Sequence, residues 1–396
     1  MRFSSHIAAL LLAASLSAQA QAPGAPPAIA EAEPPFSPET ALTAPIAYML
    51  DLGSGRVLFE RDANRRFMPA SLTKIMTAYV AFAMLDEGRL HPAQRFAMSD
   101  EAFGKWRRVG STMFIARGQA VTVDELLRGI MTISANDGSI VLAEGASGSV
   151  PAFVARMNAE AARLGLRDSH FGSPNGWPDQ GATYTTARDL AVLTQALLVR
   201  FPEHYRRYVG HREMTFNGIR QENHVPLIGR VQGADGVKTG FTNEAGYGLV
   251  GSAARDGRRL VMVVGGYDRA WQRAKESRAF LEWGFAAWRA HRLYAQGEVV
   301  GHARVQGGAS RRVPLVAPLR YALTLGPGES AQHTKLTLRY EGPVAAPVKR
   351  GAPIGVLRVA VPGQPPRDLP LLTARGVARG GPAARLRDGL LGLVGL

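Results

Sequence analysis

The sequence contains no cysteine. That excludes disulfide bonds, thiol catalysis and thiolate metal sites, so core packing alone must hold the fold. The nine histidines are scattered, and none belongs to an H-E-x-x-H or comparable cluster. Each therefore reads as a surface or structural residue, and neither a catalytic metal nor another cofactor is expected. Dense Lys/Arg runs interleaved with aromatics are missing as well, which argues against nucleic acid as a partner despite a net charge of +15. That charge suits an anionic polymer or an anionic membrane surface. No internal repeat is evident.

What the chain does have begins with a targeting pattern. Arg2 supplies a positive charge, Ile7 to Leu16 is apolar, and Ser17-Ala18-Gln19-Ala20 offers small residues for cleavage. The apolar run is too short to anchor stably across a bilayer. Residues 1–20 are thus expected to be a signal peptide, with cleavage after Ala20 or after Ala22. Residues 21–41, rich in Pro, Ala and Glu, are expected to be a disordered linker.

The remaining length and a 46% hydrophobic content allow more than one packed domain. Ile46 to Leu52 and Arg56 to Glu60 read as strands about the turn Gly53-Ser54-Gly55. A helix is expected from Ser71 to Leu85, and a mainly helical region from about 90 to 230. From Gly236 the pattern turns strand-like, with Gly246 to Ala253 and Arg259 to Gly265 joined at Arg255-Asp256-Gly257. A helix from Trp271 to Ala290 follows. This predicts a mixed α/β (α+β) domain over 42–291, in which a helical insertion separates the first strands of a sheet from the later ones. Beyond it, short strands punctuated by Pro and Gly predict a small all-β domain over 292–378. Residues 379–396 end in Leu390, Leu391, Leu393, Val394 and Leu396 behind basic residues, a tail suited to peripheral membrane contact, although Gly389, Gly392 and Gly395 weaken it as a helix.

Three motifs carry chemistry: Ser71-Leu72-Thr73-Lys74, Ser134-Ala135-Asn136 and Lys238-Thr239-Gly240. Each alone is weak; the ordered triple is specific. Ser71 and Lys74 lie at i and i+3, on one face of a helix. A serine hydroxyl needs a base, and a lysine whose pKa is depressed by burial and a neighbouring cation can serve. Lys238 can be that cation. The helix N-terminus at Ser71 favours an oxyanion. Ser134 can relay a proton between Lys74 and a leaving amine, and Asn136 can bridge Lys74 and a substrate amide. Lys238 and Thr239 can hold a carboxylate, Gly240 admits a close backbone, and the N–H groups of Ser71 and Phe241 can form an oxyanion hole.

The triple resembles the signature of penicillin-binding proteins and class A β-lactamases. Pro69-Ala70-Ser71, Thr215-Phe216-Asn217 with Ile219-Arg220-Gln221, Asp235-Gly236-Val237-Lys238-Thr239-Gly240 and Ala245-Gly246-Tyr247 narrow the likeness. The chain is similar to the low-molecular-mass D-alanyl-D-alanine carboxypeptidases, the penicillin-binding protein 5/6 type of peptidase family S11. The resemblance implies removal of the terminal D-Ala from peptidoglycan stem pentapeptides through an acyl-enzyme on Ser71, and inhibition by β-lactams. With the signal peptide it implies a periplasmic protein, peripheral on the inner membrane if the tail anchors. In that family an arginine after the KTG strand helps bind the terminal carboxylate. Arg273 matches best, with Arg269 as a rival; an ion pair with Glu276 or Asp268 is the structural alternative. Phe241 departs from the histidine or threonine usual there, which is expected to alter substrate preference or pH profile.

Other functions remain open on the sequence. A D,D-endopeptidase acting on peptide cross-links would use the same catalytic residues. A class A β-lactamase would need an E-x-x-L-N carboxylate between Asn136 and Lys238, and none occurs. A non-catalytic wall-binding scaffold would be expected to have lost Ser71, a lysine or Asn136.

Overall fold

The computed structural model describes residues 36–382. The signal peptide, most of the expected linker and the apolar tail beyond 382 lie outside the described residues.

Alternating apolar residues build a sheet that is buried on both faces. Its five strands are antiparallel and run, edge to edge, Arg56–Arg61, Ile46–Asp51, Arg258–Tyr267, Gly246–Arg255 and Ala234–Thr242. On Ile46–Asp51, Tyr48 and Leu50 face one core while Ala47 and Met49 face another. Arg258–Tyr267 repeats the division, with Val261 and Val263 on one side and Leu260, Met262 and Val264 on the other. A period of two sorts neighbours onto opposite faces. The first face carries the helical insertion, the second the helix Ala270–Ala286 through Phe280 and Leu281. Asp256 and Gly257 both take positive φ, 49° and 76°, and close the hairpin between the two long strands as expected.

The insertion begins with a short 3-10 turn, Ala70–Thr73, which runs into the helix Lys74–Asp86. That helix is buried from Lys74 to Met84, so its apolar residues show no one-sided stripe. Around it pack Val123–Thr132, Asn136–Ser147, Val150–Arg163, Ala187–Arg200 and Pro202–Tyr208. Thr122 and Glu125 form a capping box at one start, and the side chain of Thr186 caps another. A two-stranded sheet of Arg95–Ala97 with Ala120–Thr122 and a hairpin of Glu213–Phe216 with Ile219–Glu222 interrupt the helical region.

A six-stranded sheet with its own apolar core follows, ordered Lys335–Tyr340, Pro353–Ala360, Arg367–Thr373, Arg312–Val316, Val299–Gln306 and Val344–Ala345. Tyr321–Leu325, paired with Arg289–Tyr294 in a separate two-stranded sheet, packs on this core, and buried Asp51 ties it to the first sheet. One carboxylate oxygen meets Arg258 Nε at 2.7 Å and the hydroxyl of Thr324 at 2.8 Å. The Arg56–Glu329 ion pair lies in the same junction.

Three expectations need correction. The linker expected to run through residue 41 is structured from Phe36, because Phe36 packs on the second core and Pro38–Ala41 forms a helical turn. The helix expected to reach Ala290 ends at Ala286; Arg289–Tyr294 is a strand paired with Tyr321–Leu325, straddling the boundary placed at 291. The tail expected from 379 starts later, since Arg379 bridges Gly308 and the N–H of Gly380 donates to the Gly307 carbonyl.

Candidate active site

The three motifs meet in one cavity of about 640 Å³, lined by Ser71, Ser134, Asn136, Thr239, Gly240, Phe241 and Arg273 among others. Each comes from a different element. Ser71 sits in the 3-10 turn, half-buried, with Lys74 one turn on. Ser134 and Asn136 precede and open the helix Asn136–Ser147. The KTG residues lie on Ala234–Thr242, the open edge of the sheet.

Lys74 is buried completely and donates three hydrogen bonds: to Ser71 Oγ at 2.9 Å, Asn136 Oδ1 at 2.8 Å and the Asn175 carbonyl at 2.7 Å. No carboxylate pairs with it among the described residues. Burial first, and the charge of Lys238 second, hold its pKa well below the ordinary lysine range, against a weaker opposing pull from Asp137. Lys238 is equally enclosed, and its ammonium donates to the Thr239 carbonyl at 3.1 Å. Burial, then the Arg273 charge, lower its pKa to about 7. The two buried ammonium groups disfavour each other's charge, and Lys74, wholly enclosed, is held well below the ordinary lysine range.

Asn136 has one donor committed, to the Val109 carbonyl at 3.0 Å, leaving its second N–H for a ligand. Asp137, buried beside it, accepts the backbone N–H of Met113 at 2.9 Å and of Gly138 at 2.8 Å. It fixes the wall of the cleft rather than acting in it. Ala70 and Ser134 both hold positive φ, 49° and 64°. Strained backbone of this kind in residues with a side chain gathers at functional sites.

Gly240 was expected to admit a close substrate. Its immediate need is internal: a Cβ there would lie 2.6 Å from the Pro69 carbonyl oxygen and 3.1 Å from Leu72 Cγ. The missing side chain lets the KTG strand press against the turn that carries Ser71. Arg273 lines the cavity, and its rival Arg269 is exposed at the start of the helix and does not. The ion pair with Glu276 does not form, because Glu276 accepts from the N–H and hydroxyl of Thr43 instead. The Arg273 guanidinium lies 5.5 Å from the Tyr247 ring centre, and its buried Nε has no hydrogen-bond partner. Phe241 stacks on Tyr247, with ring centres 4.1 Å apart, and is 46% exposed. Phe241, Tyr247 and Arg273 form a layered wall.

Several site residues escaped the sequence reading. The loop 173–177 supplies the Asn175 carbonyl to Lys74 and places Trp177 in the cavity, edge-on to Trp106. Gly176 has φ 71°, and a Cβ there would fall 1.9 Å from the Ala70 carbonyl oxygen. Its Asn-Gly dipeptide signals a turn, but nothing local says what the turn touches. His224 also lines the cavity, contrary to its reading as a plain surface or structural residue. Glu244 is the single carboxylate among the described lining residues, and it is exposed at the rim.

Known proteins share this arrangement over most of the chain. The D-alanyl-D-alanine carboxypeptidase family, peptidase S11, matches residues 30–268, and the C-terminal domain of penicillin-binding protein 5 matches residues 288–379. The D-alanyl-D-alanine carboxypeptidase DacA of Haemophilus influenzae is 33% identical over 88% of this chain and 89% of its own. The crystal structure of penicillin-binding protein 5 from the same organism aligns with a TM-score of 0.66 and 32% identity, covering 85% of this chain and 98% of that one. Penicillin-binding protein D2 of Listeria monocytogenes, in its ampicillin-bound form, aligns with a TM-score of 0.55 and 30% identity over 61% of this chain and 97% of that one. The chain belongs to the D-alanyl-D-alanine carboxypeptidases of peptidase family S11.

Proposed function

We propose that this protein is a serine D-alanyl-D-alanine carboxypeptidase that removes the terminal D-Ala from peptidoglycan stem pentapeptides. The observation that carries the reading is the buried Lys74, hydrogen-bonded to Ser71 Oγ at 2.9 Å with no carboxylate partner. Once neutral, Lys74 keeps two N–H groups for Asn136 Oδ1 and the Asn175 carbonyl, and its lone pair faces the Ser71 hydroxyl, ready to accept the proton.

The terminal carboxylate sits against Lys238, Thr239 and Arg273, whose forked guanidinium suits a planar anion. Lys74 takes the Ser71 proton as Oγ attacks the carbonyl of the penultimate D-Ala. The N–H groups of Ser71 and Phe241 stabilise the oxyanion, a contribution of about 100- to 1,000-fold in rate. Ser134 passes the proton to the departing amine of D-Ala, and Asn136 holds Lys74 and the substrate amide in line. Water then releases the acyl group. β-Lactams acylate the same serine. With only the exposed Glu244 lining the cavity, no buried carboxylate stands ready to activate water, so the penicilloyl-enzyme persists. That separates the reading from a β-lactamase. The β-rich second domain favours the carboxypeptidase over a D,D-endopeptidase.

The test is D-Ala release from a pentapeptide, wild type against Ser71→Ala, with labelled penicillin beside it. Wild type releases D-Ala and takes up label; the variant does neither. An unlabelled wild type would overturn the mechanism, and cleavage of cross-linked dimers in place of pentapeptide would move it to the endopeptidase.

The pH profile follows from the two lysines. Lys74 must be neutral, so kcat/KM falls on the acid side as it gains a proton. Lys238 must be charged, so kcat/KM falls again above about 7. A monotonic profile would contradict these assignments.

We place the protein in the periplasm, exported through residues 1–20, with the tail as a peripheral contact on the inner membrane. Arg2 and the apolar run Ile7 to Leu16 support export. Cell fractionation, with and without residues 383–396, tests both; a cytoplasmic pool of uncleaved protein would sink the placement.

A further inference from the structure

Two basic side chains, Arg273 and His224, line the cavity, and the charge of buried Lys238 reaches His224; the three come from three elements. Lys238 comes from the KTG strand, Arg273 from the helix Ala270–Ala286, and His224 from the segment that follows the strand Ile219–Glu222. Neither Lys238 nor Arg273 has a carboxylate partner among the described residues. The segment bearing His224 is pinned on both sides. The N–H of Asn223 donates to the Arg212 carbonyl at 2.8 Å, its Nδ2 donates to the His211 carbonyl at 2.7 Å, and its Oδ1 accepts from the N–H of Val225, also at 2.8 Å. Val225 is buried. The backbone is therefore fixed while the imidazole stays open to the cavity.

We propose that His224 is a third, proton-linked member of the carboxylate anchor, gaining its proton as the terminal carboxylate of the substrate enters beside Lys238 and Arg273. The proposal rests on the reading of the cleft as a D-Ala-D-Ala site. In the free enzyme, burial and then the charges of Lys238 and Arg273 hold the imidazole below its ordinary pKa, so it is neutral. The remaining groups around it do not offset those charges. Ser71, Ser134 and Asn136 on the facing wall are uncharged, with neutral Lys74 behind them. Glu244 lies at the rim, and Glu222 on the same segment lines a separate groove. A bound carboxylate reverses the local sign and favours the imidazolium.

Linkage is reciprocal: if the carboxylate draws a proton onto His224, the proton tightens the carboxylate. Affinity is then greatest below the pKa of the free enzyme and is lost as pH rises through the pKa of the complex. Within that window one proton changes affinity by at most about tenfold per pH unit. Lys238 contributes with the same sign near 7, so variants must separate the two.

The experiment measures KM and kcat for a D-Ala-D-Ala pentapeptide from about pH 5 to pH 8, the range in which a histidine titrates. Wild type, His224→Asn and His224→Arg are compared, with the C-terminally amidated peptide as a ligand lacking the carboxylate. His224→Asn is expected to raise KM roughly 3- to 10-fold at the acid end and to converge on wild type at the alkaline end, with kcat little changed. His224→Arg, permanently charged, is expected to keep KM low at the alkaline end. For the amidated peptide the three proteins are expected to share one pH dependence. If the KM profiles of His224→Asn and wild type superimpose, or if the effect falls on kcat, the inference is wrong while the carboxypeptidase reading stands. If wild type releases no D-Ala and takes up no penicillin, that reading itself fails.

Discussion

In the cleft, Lys74 and Lys238 are almost wholly buried and reach no carboxylate. In the β-rich domain, Arg358 meets Asp368 through two bonds of 2.7 and 2.5 Å near the surface, above a core of Ala303, Val313, Leu315, Leu357, Leu369 and Leu371. One region holds its charges where they are costly, the other where water shares them. The difference teaches which residues serve chemistry and which serve folding. Two lysines enclosed without counter-charges destabilise the cleft, and the same enclosure lowers their pKa values to where an acyl-transfer site needs them. The packing around them supplies the compensation: a helix buried from Lys74 to Met84 between sheet and helices.

The contrast can be broken most severely at Lys74. Lys74→Met keeps the volume and removes the base, so acylation by labelled penicillin is expected to slow about 100- to 10,000-fold. Its melting temperature should change little, since the relief of the amine's desolvation is offset by leaving Asn136 Oδ1 and the Asn175 carbonyl without their donor. A large fall in melting temperature with acylation intact would show that the lysine is structural. The converse change is Leu371→Ala in the β-rich core, fully buried. It should cost about 2–5 kcal/mol in denaturant unfolding and leave kcat/KM unchanged. A parallel loss of activity would mean that the two regions are not separable in this way. Gly240→Ala tests the seam, because its Cβ meets the Pro69 carbonyl at 2.6 Å. Destabilisation of about 1–3 kcal/mol is expected, together with slower acylation, as Ser71 shifts against the strand. The smallest effect belongs to Arg358→Ala. Its ion pair is solvent-exposed, so neither melting temperature nor D-Ala release should move, and a measurable loss of either would contradict the surface reading.

Sequence reasoning succeeded where chemistry is local in the chain. Ser71 and Lys74 are three residues apart, so helical geometry alone brings them together. The alternating strands and the Asp256-Gly257 turn follow from period and turn chemistry. Sequence reasoning failed where contacts join distant segments. Asn175 reaches Lys74 from 101 residues away, and His224 enters the cavity only because the hairpin before it is folded against the cleft. Gly240 showed its residue type but not its reason, since the crowding atoms belong to Pro69 and Leu72. The helix from Trp271 is expected to run on to Ala290 because aromatics as far as Trp288 continue its pattern; pairing of Arg289–Tyr294 with Tyr321–Leu325 overrides that local tendency. The two small strand pairs inside the helical region were missed for the same reason.

The open edge of Ala234–Thr242 has a consequence for behaviour in solution. An unpaired strand edge invites other proteins to add their own strands, and exposed edges of this kind seed aggregation. Here that edge forms the floor of a cavity walled by Trp177, Asn136 and the Ser71 turn. A single thin peptide can lie along it, while the edge of a second folded sheet meets the walls first. The walls of the cleft thus protect an edge that charge, proline or a covering strand would otherwise have to guard.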